Sequence, residues 1–300
     1  MLNSEFDPAH LRESVFAVPP LARNANGEVC RDENLKIIRF LEDGGVRSLL
    51  YGGNALFYHI RLSEFASTLS VLAESTSDET TVVPSIGPAY GLACDQVDVL
   101  REFPFATAML LPSRDVIDQA GCASGVRRLA ERLGKPLVLY LKFDQWLDPS
   151  LVESLEKDGV ISWIKYAVVR DDPADDSYLR SIIDVFPTER IVSGIGEQPA
   201  IVHLRDFGIT GFTSGCVCVA PARSMEMMHA IHDQQFDEAE SIREWFLPLE
   251  DLRNQYSPIR VLHHAVEAAG VAKTGSMLPM VSDLDANVIE EIHAAVAKMR

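Results

Sequence analysis

The sequence predicts a (β/α)8 TIM barrel with a C-terminal helical extension, and three observations predict it. Eight short apolar, β-branched runs recur along the chain, with a longer amphipathic segment after each. The runs are almost continuously hydrophobic, as strands covered on both faces are, and lack the alternation of half-exposed strands. No G-x-G-x-x-G turn opens an early helix, which a doubly wound dinucleotide-binding sheet would want. Three hundred residues suit one barrel of roughly 250 residues with added elements.

The predicted strands are 15–19, 47–52, 81–86, 106–111, 137–141, 163–167, 190–194 and 208–213. Helices are expected at 32–43, 61–74, 91–102, 115–133, 149–157, 176–186 and 198–206, with another starting after Pro221. The barrel is thus assigned to residues 1–230 and the extension to 231–300. Within the extension, 235–253, 258–269 and 285–298 read as helices, separated by a stretch punctuated by Gly270, Gly275 and Pro279. Asp283 and Asp285 stand where carboxylates favour a helix start.

A net charge of −17 excludes a nucleic-acid surface and an anionic membrane surface as the main business of the chain. It leaves the charge of any single pocket open. The cysteines at 30, 94, 122, 216 and 218 form no CxxC pair, and the spacing of Cys216 and Cys218 suits neither zinc nor redox chemistry. They read as buried structural thiols in a reducing compartment. The first fourteen residues carry no secretory signal, and no apolar run reaches bilayer-spanning length. A soluble cytoplasmic protein is expected.

One segment carries the chemistry. Lys165 sits among Trp163, Ile164, Tyr166 and Ala167, so the sixth strand places an ammonium where burial is expensive. A desolvated lysine has its proton affinity lowered, which supplies the neutral amine that attacks ketones and aldehydes. The competing reading is a strand-end lysine that reaches solvent. Barrel chemistry occurs at the C-terminal ends of strands, and Lys165 lies late in its strand. Tyr140 holds the same position on the neighbouring strand, within reach of the amine. It is either a proton carrier for the lysine or a core tyrosine. Lys142, two residues on and on the same face, either tunes Lys165, binds an anionic group or stands exposed. Of the histidines, His59, His203, His263 and His264 read as surface or packing residues. Asp171, Asp172, Asp175 and Asp176 form an acidic turn beyond strand six that reads as solvated.

The order and spacing of several segments resemble the dihydrodipicolinate synthase/N-acetylneuraminate lyase family of class I, pyruvate-type aldolases and dehydratases, over nearly the whole chain. Ile164-Lys165-Tyr166-Ala167 is similar to the strand-six stretch that bears the family's Schiff-base lysine. Leu139-Tyr140 is similar to the strand-five segment whose tyrosine shuttles protons. Ile191-Val192-Ser193-Gly194 resembles the strand-seven element. Gly211 to Gly215 with Val219-Ala220-Pro221 resembles the strand-eight turn. Ser257-Pro258-Ile259-Arg260-Val261, followed by Gly270-Val271 and Pro279, resembles the C-terminal pattern.

The departures are as informative. Where the family has a G-T-T-G-E loop whose threonines hold the substrate carboxylate, this chain has Gly52-Gly53-Asn54-Ala55-Leu56. Backbone N–H groups of Gly53 and Asn54, with the Asn54 amide, remain as donors. A P-Y-Y element after strand four, which passes a tyrosine to a neighbouring subunit, is replaced by Pro112-Ser113-Arg114-Asp115. Arg114 then either clamps a substrate oxygen or pairs with Asp115 or Asp118 at a helix start. The strand-five arginine for the second substrate of lysine biosynthesis is also missing, which excludes that reaction as the expected one.

The resemblance implies a lyase that acts on a 2-keto acid such as a deoxy sugar acid. Lys165 would be its imine-forming nucleophile and Tyr140 its proton carrier. Gly53, Asn54, Arg114, Lys142, Ser193, Gly194, Thr213 and Ser214 would contact substrate, with no metal and no cofactor. It also implies a homo-oligomer, dimer or tetramer. Two rivals stand: a non-catalytic small-molecule binding protein on a decayed aldolase scaffold, and a phosphate-handling barrel using the turns at Gly194-Ile195-Gly196 and Gly211–Gly215.

Overall fold

The computed structural model describes residues 6–299; Arg300 and residues 1–5, where the predicted barrel segment begins, lie outside it. Eight parallel strands close into a barrel in sequence order. They are β1 (Phe16–Ala17), β2 (Ser48–Tyr51), β3 (Thr81–Ile86), β4 (Met109–Leu110), β5 (Leu137–Leu141), β6 (Ile161–Tyr166), β7 (Ile191–Ser193) and β8 (Gly211–Ser214). A short helix, α1 (His10–Glu13), precedes β1. The barrel helices that follow are α2 (Arg31–Asp43), α3 (Leu62–Ser75), α4 (Tyr90–Leu100), α5 (Gln119–Leu133), α6 (Pro149–Lys157), α7 (Ser177–Ile183), α8 (Ala200–Phe207) and α9 (Pro221–His232). Beyond the barrel come α10 (Phe236–Gln255), α11 (Pro258–Ala268) and α12 (Ala286–Lys298). No helix among the described residues is long and apolar enough to cross a membrane.

Every expected strand forms, and the differences lie at the ends. β1 and β4 are ladders of two residues, although Ala108 still accepts from the Val138 N–H at 2.9 Å. β6 starts at Ile161, two residues early. β8 starts at Gly211, three residues late, because Gly208 closes α8. The helix expected from 115 starts at Gln119, where Asp118 accepts from the Gly121 N–H and satisfies one of the helix's orphan donors.

Strand register decides what faces the barrel axis. Neighbouring residues paired across parallel strands point to the same side, and successive residues point to opposite sides. Tyr140 pairs with Lys165 and Lys165 with Val192, so these share one face. Two residues earlier on β6, Trp163 faces inward as well; its ring lies 4.9 Å from that of Phe16, with Phe6 stacked at 6.4 Å. Trp163 and Phe16 are fully buried, the rings fill the N-terminal end of the barrel, and Lys165 occupies the next inward layer toward the open end.

The chain after β8 closes over that open end. α10 packs on α9 and on α11. Ser257 caps α11, its side chain accepting from the Arg260 N–H, and Pro258 takes the first helical position where a missing N–H costs nothing. This junction brings the end of α10 and the start of α11 over the strand ends.

Candidate active site

A cavity of about 290 Å3 lies at the C-terminal mouth of the barrel. Lys165, Tyr140, Lys142, Gly53, Asn54, Gly194 and Thr213 line it, so seven of the ten residues singled out above meet there. Lys165 is only 6% exposed. Its ammonium lies 4.7 Å from the centre of the Tyr140 ring. Burial, reinforced by the positive charges of Lys142 and Arg253, pulls its proton affinity down to a pKa of about 7. The same burial holds the Tyr140 phenol far above its usual range, and the hydroxyl stays protonated.

Gly194 makes room for the lysine. A Cβ there would stand 2.9 Å from Lys165 Cε and 2.7 Å from Ala167 Cβ, closer than carbon atoms pack. Lys142 stands exposed at the mouth, its ammonium 5.7 Å from the Tyr58 ring and 5.9 Å from the Phe143 ring. The water these rings displace lowers its proton affinity too. Asn54 has committed its amide N–H to the Val18 carbonyl at 2.8 Å.

Three of the ten lie elsewhere. Ser193 is fully buried on the outer face of β7, its hydroxyl 2.9 Å from His203 Nδ1 beneath α8. Ser214 also faces outward; it donates to Glu197 and accepts from the Val217 N–H at 2.9 Å. Alternation along the strand puts Gly194 and Thr213 inside and their serine neighbours outside. Arg114 is exposed, with its guanidinium 4.4 Å over the Phe143 ring, and does not line the cavity. The acidic turn also holds one surprise: Asp176 is fully buried and accepts from Tyr166 Oη at 2.7 Å, Arg170 Nη2 at 3.0 Å and the Leu179 N–H at 2.9 Å. His203 and His263 are buried, while His264 meets Asp283 at 2.6 Å. All five cysteines are free thiols, Cys216 and Cys218 being fully buried.

The sequence reading missed a charged cluster under the same cavity. Arg253, at the end of α10, lines the cavity while its side chain is 9% exposed. Its Nη1 donates to Glu250 Oε1 at 3.0 Å and lies 3.7 Å from Cys216 Sγ. Glu250 Oε2 accepts from the Gln198 N–H at 2.8 Å. Glu197 accepts from Ser224 Oγ at 2.6 Å as well as from Ser214. Burial and the adjacent Glu197 push the Glu250 carboxyl well above the usual carboxylate range. Ligand atoms of Glu197, Cys216 and Glu250 lie within 4.8 Å of one another. Arg253 contacts two of the three, so the cluster already carries its own cation and does not suit a metal. A helix-phase argument finds these charges: Ala239, Ile242, Phe246 and Leu249 form the buried face of α10, and Glu250 and Arg253 continue it.

No protein-family profile matches the chain, and no curated protein is significantly similar in sequence. Solved structures are similar in fold. Dihydrodipicolinate synthase from Bacillus clausii superposes with a TM-score of 0.84 at 21% identity, over 97% of this chain and 99% of that one. The chain has the fold of the dihydrodipicolinate synthases. The Agrobacterium tumefaciens synthase gives a TM-score of 0.86 at 17% identity, over 98% and 100% of the two chains. A prophage protein of the dihydrodipicolinic acid synthase family from E. coli K12, solved in complex with pyruvate, gives 0.82 at 19%, over 95% and 98%.

Proposed function

We propose that this protein is a class I lyase that acts on a 2-keto acid through an imine at Lys165. The observation that carries the proposal is one amine, buried at the floor of a cavity and half-deprotonated near neutral pH. Its likeness in fold to a pyruvate-bound relative agrees with it. In this reading the Lys165 lone pair bonds to the ketone carbon while the carbonyl electron pair moves to oxygen, and the amine proton follows to give a carbinolamine. Protonation of that hydroxyl, with Tyr140 as the donor beside it, expels water and leaves an iminium. For carbon–carbon cleavage, the Tyr140 phenolate takes the proton of the hydroxyl two carbons from the imine carbon, an aldehyde forms and the pair of the breaking bond moves into an enamine. For dehydration, loss of the proton on the carbon next to the imine carbon gives the enamine, which expels the hydroxyl one carbon further out with its bonding pair, to leave as water once protonated. Thr213 and the backbone N–H groups of Gly53 and Asn54 orient the acid end.

Borohydride reduction in the presence of pyruvate and longer 2-keto acids, followed by peptide mass spectrometry, tests this. An adduct on Lys165 is expected. Its absence across the series would overturn the proposal.

The rival reading, a non-catalytic binding protein on the same scaffold, draws on one observation: Asn54 gives one of its two amide N–H groups to Val18, so the loop keeps a single side-chain N–H for a carboxylate. It predicts that Lys165→Ala still binds the keto acid reversibly.

A further inference from the structure

The protein carries seventeen excess negative charges, yet the cavity reverses that sign. Lys142, Lys165 and Arg253 line it, and among the described lining residues there is no aspartate or glutamate. A site built for a monocarboxylate gains nothing from a third cation, because each buried charge has to be offset. Arg253 is held with donors to spare. Nη1 alone makes the contacts to Glu250 and Cys216. Nε is buried without a hydrogen-bond partner among the described residues. Nη2 packs against Gly215, where a Cβ would lie 2.6 Å away. Gly194 leaves space beside Lys165 and Gly215 leaves space beside Arg253, and all four line the same cavity.

We propose that Arg253 is a substrate-binding residue that holds a second anionic group, so that the substrate is a 2-keto acid with an acid group at each end. This rests on the reading of Lys165 as the imine-forming lysine. The first carboxylate lies next to the imine carbon, against Gly53 and Asn54 in the loop after β2, across the ring from β6. The distal anion lies toward the turn after β8, where Arg253 Nη2 offers a charge-assisted donor to a carboxylate oxygen. Glu250 acts as a positioning residue: it anchors Nη1 of the guanidinium and leaves Nη2 to the ligand.

Calorimetric binding of glutarate and pentanoate isolates the anion contact, because neither acid can form an imine. The wild-type protein should bind glutarate at least about tenfold more tightly, the size of one charge-assisted hydrogen-bonded contact. Arg253→Met should bring that ratio close to one, and Arg253→Lys should leave an intermediate ratio. Lys142→Met removes the other cation at the mouth and should leave the ratio intact. Should Arg253→Met fail to fold, the wild-type, Arg253→Lys and Lys142→Met ratios decide by themselves. Equal affinity of the wild type for the two acids, a preference that survives Arg253→Met, or one lost in Lys142→Met would each overturn the assignment. In parallel, borohydride trapping with 2-oxoglutarate and 2-oxopentanoate reports on Lys165. A glutarate preference with no trapped adduct sinks the lyase reading and keeps the anion site. Trapping of both keto acids with the same half-saturating concentration sinks the anion site and keeps the lysine.

Discussion

Replacing Lys165 with methionine should make the unliganded protein more stable, by an amount that depends on pH in a defined direction. The folded amine gives up its proton at about pH 7, whereas a free lysine does so at 10.5. At about 1.4 kcal/mol for each tenfold change in proton affinity, holding this charge in the fold costs about 5 kcal/mol below pH 7. Methionine keeps the apolar stem and removes the charge, but forfeits the contact with the Tyr140 ring, worth about 1–2 kcal/mol. A net gain of about 3 kcal/mol below pH 7 follows.

Between pH 7 and 10.5 the unfolded lysine carries a proton that the folded one has released. Wild-type stability therefore rises with pH through that window, and the advantage of the variant shrinks. Equilibrium urea unfolding of both proteins at pH 6.5 and 9.5 measures it. The difference in unfolding free energy should fall by about 3 kcal/mol between the two conditions. A difference that stays constant with pH would mean that the ammonium is solvated when folded, and the argument for a neutral nucleophile would fail with it.

Gly194→Ala forces a methyl group against Lys165 Cε and Ala167 Cβ. It should destabilise the protein by about 1–3 kcal/mol, and the rate of borohydride trapping at Lys165 should drop at least about tenfold, corresponding to about 1.4 kcal/mol in the barrier. A matched pair, Ser193→Ala and Thr213→Val, tests which strand face meets the ligand. The serine variant should lose about 1 kcal/mol of stability with its His203 contact and keep its keto-acid concentration dependence in trapping, while the threonine variant should shift that dependence to higher concentration. The reverse pattern would place the substrate outside the barrel.

How much of this was legible in the sequence depends on which kind of pattern carries the information. The barrel was legible because the strands are buried on both faces, so most of them appear as largely apolar runs such as Leu137–Leu141. Strand ends were less so, because they are set by single hydrogen bonds and caps: Asp118 receiving the Gly121 N–H moves a helix start by four residues without altering hydrophobicity. Lys165 was legible for the opposite reason, as the one charge in a run that has no place for it. Asp176 was hidden among four similar aspartates, since only the fold brings Tyr166 and Arg170 to it.

The site residues separate along the same physical line. Ser193 with Gly194, and Thr213 with Ser214, are adjacent pairs, and a strand cannot present both members of such a pair to its axis. Parity carried from Lys165 settles each pair: its β7 partner Val192 faces inward, so Ser193 faces outward and Gly194 inward. Applied to β8, where Thr213 pairs with the inward-facing Phe16, the same rule turns Ser214 away from the cavity and toward Glu197. That outward hydroxyl contacts Glu197, which adjoins the Glu250 carboxyl that holds Arg253 beside the cavity. A residue on the wrong face for substrate thus still bears on the site, through the helix that closes the barrel's mouth, and motif matching along β8 alone has no means of distinguishing the two roles.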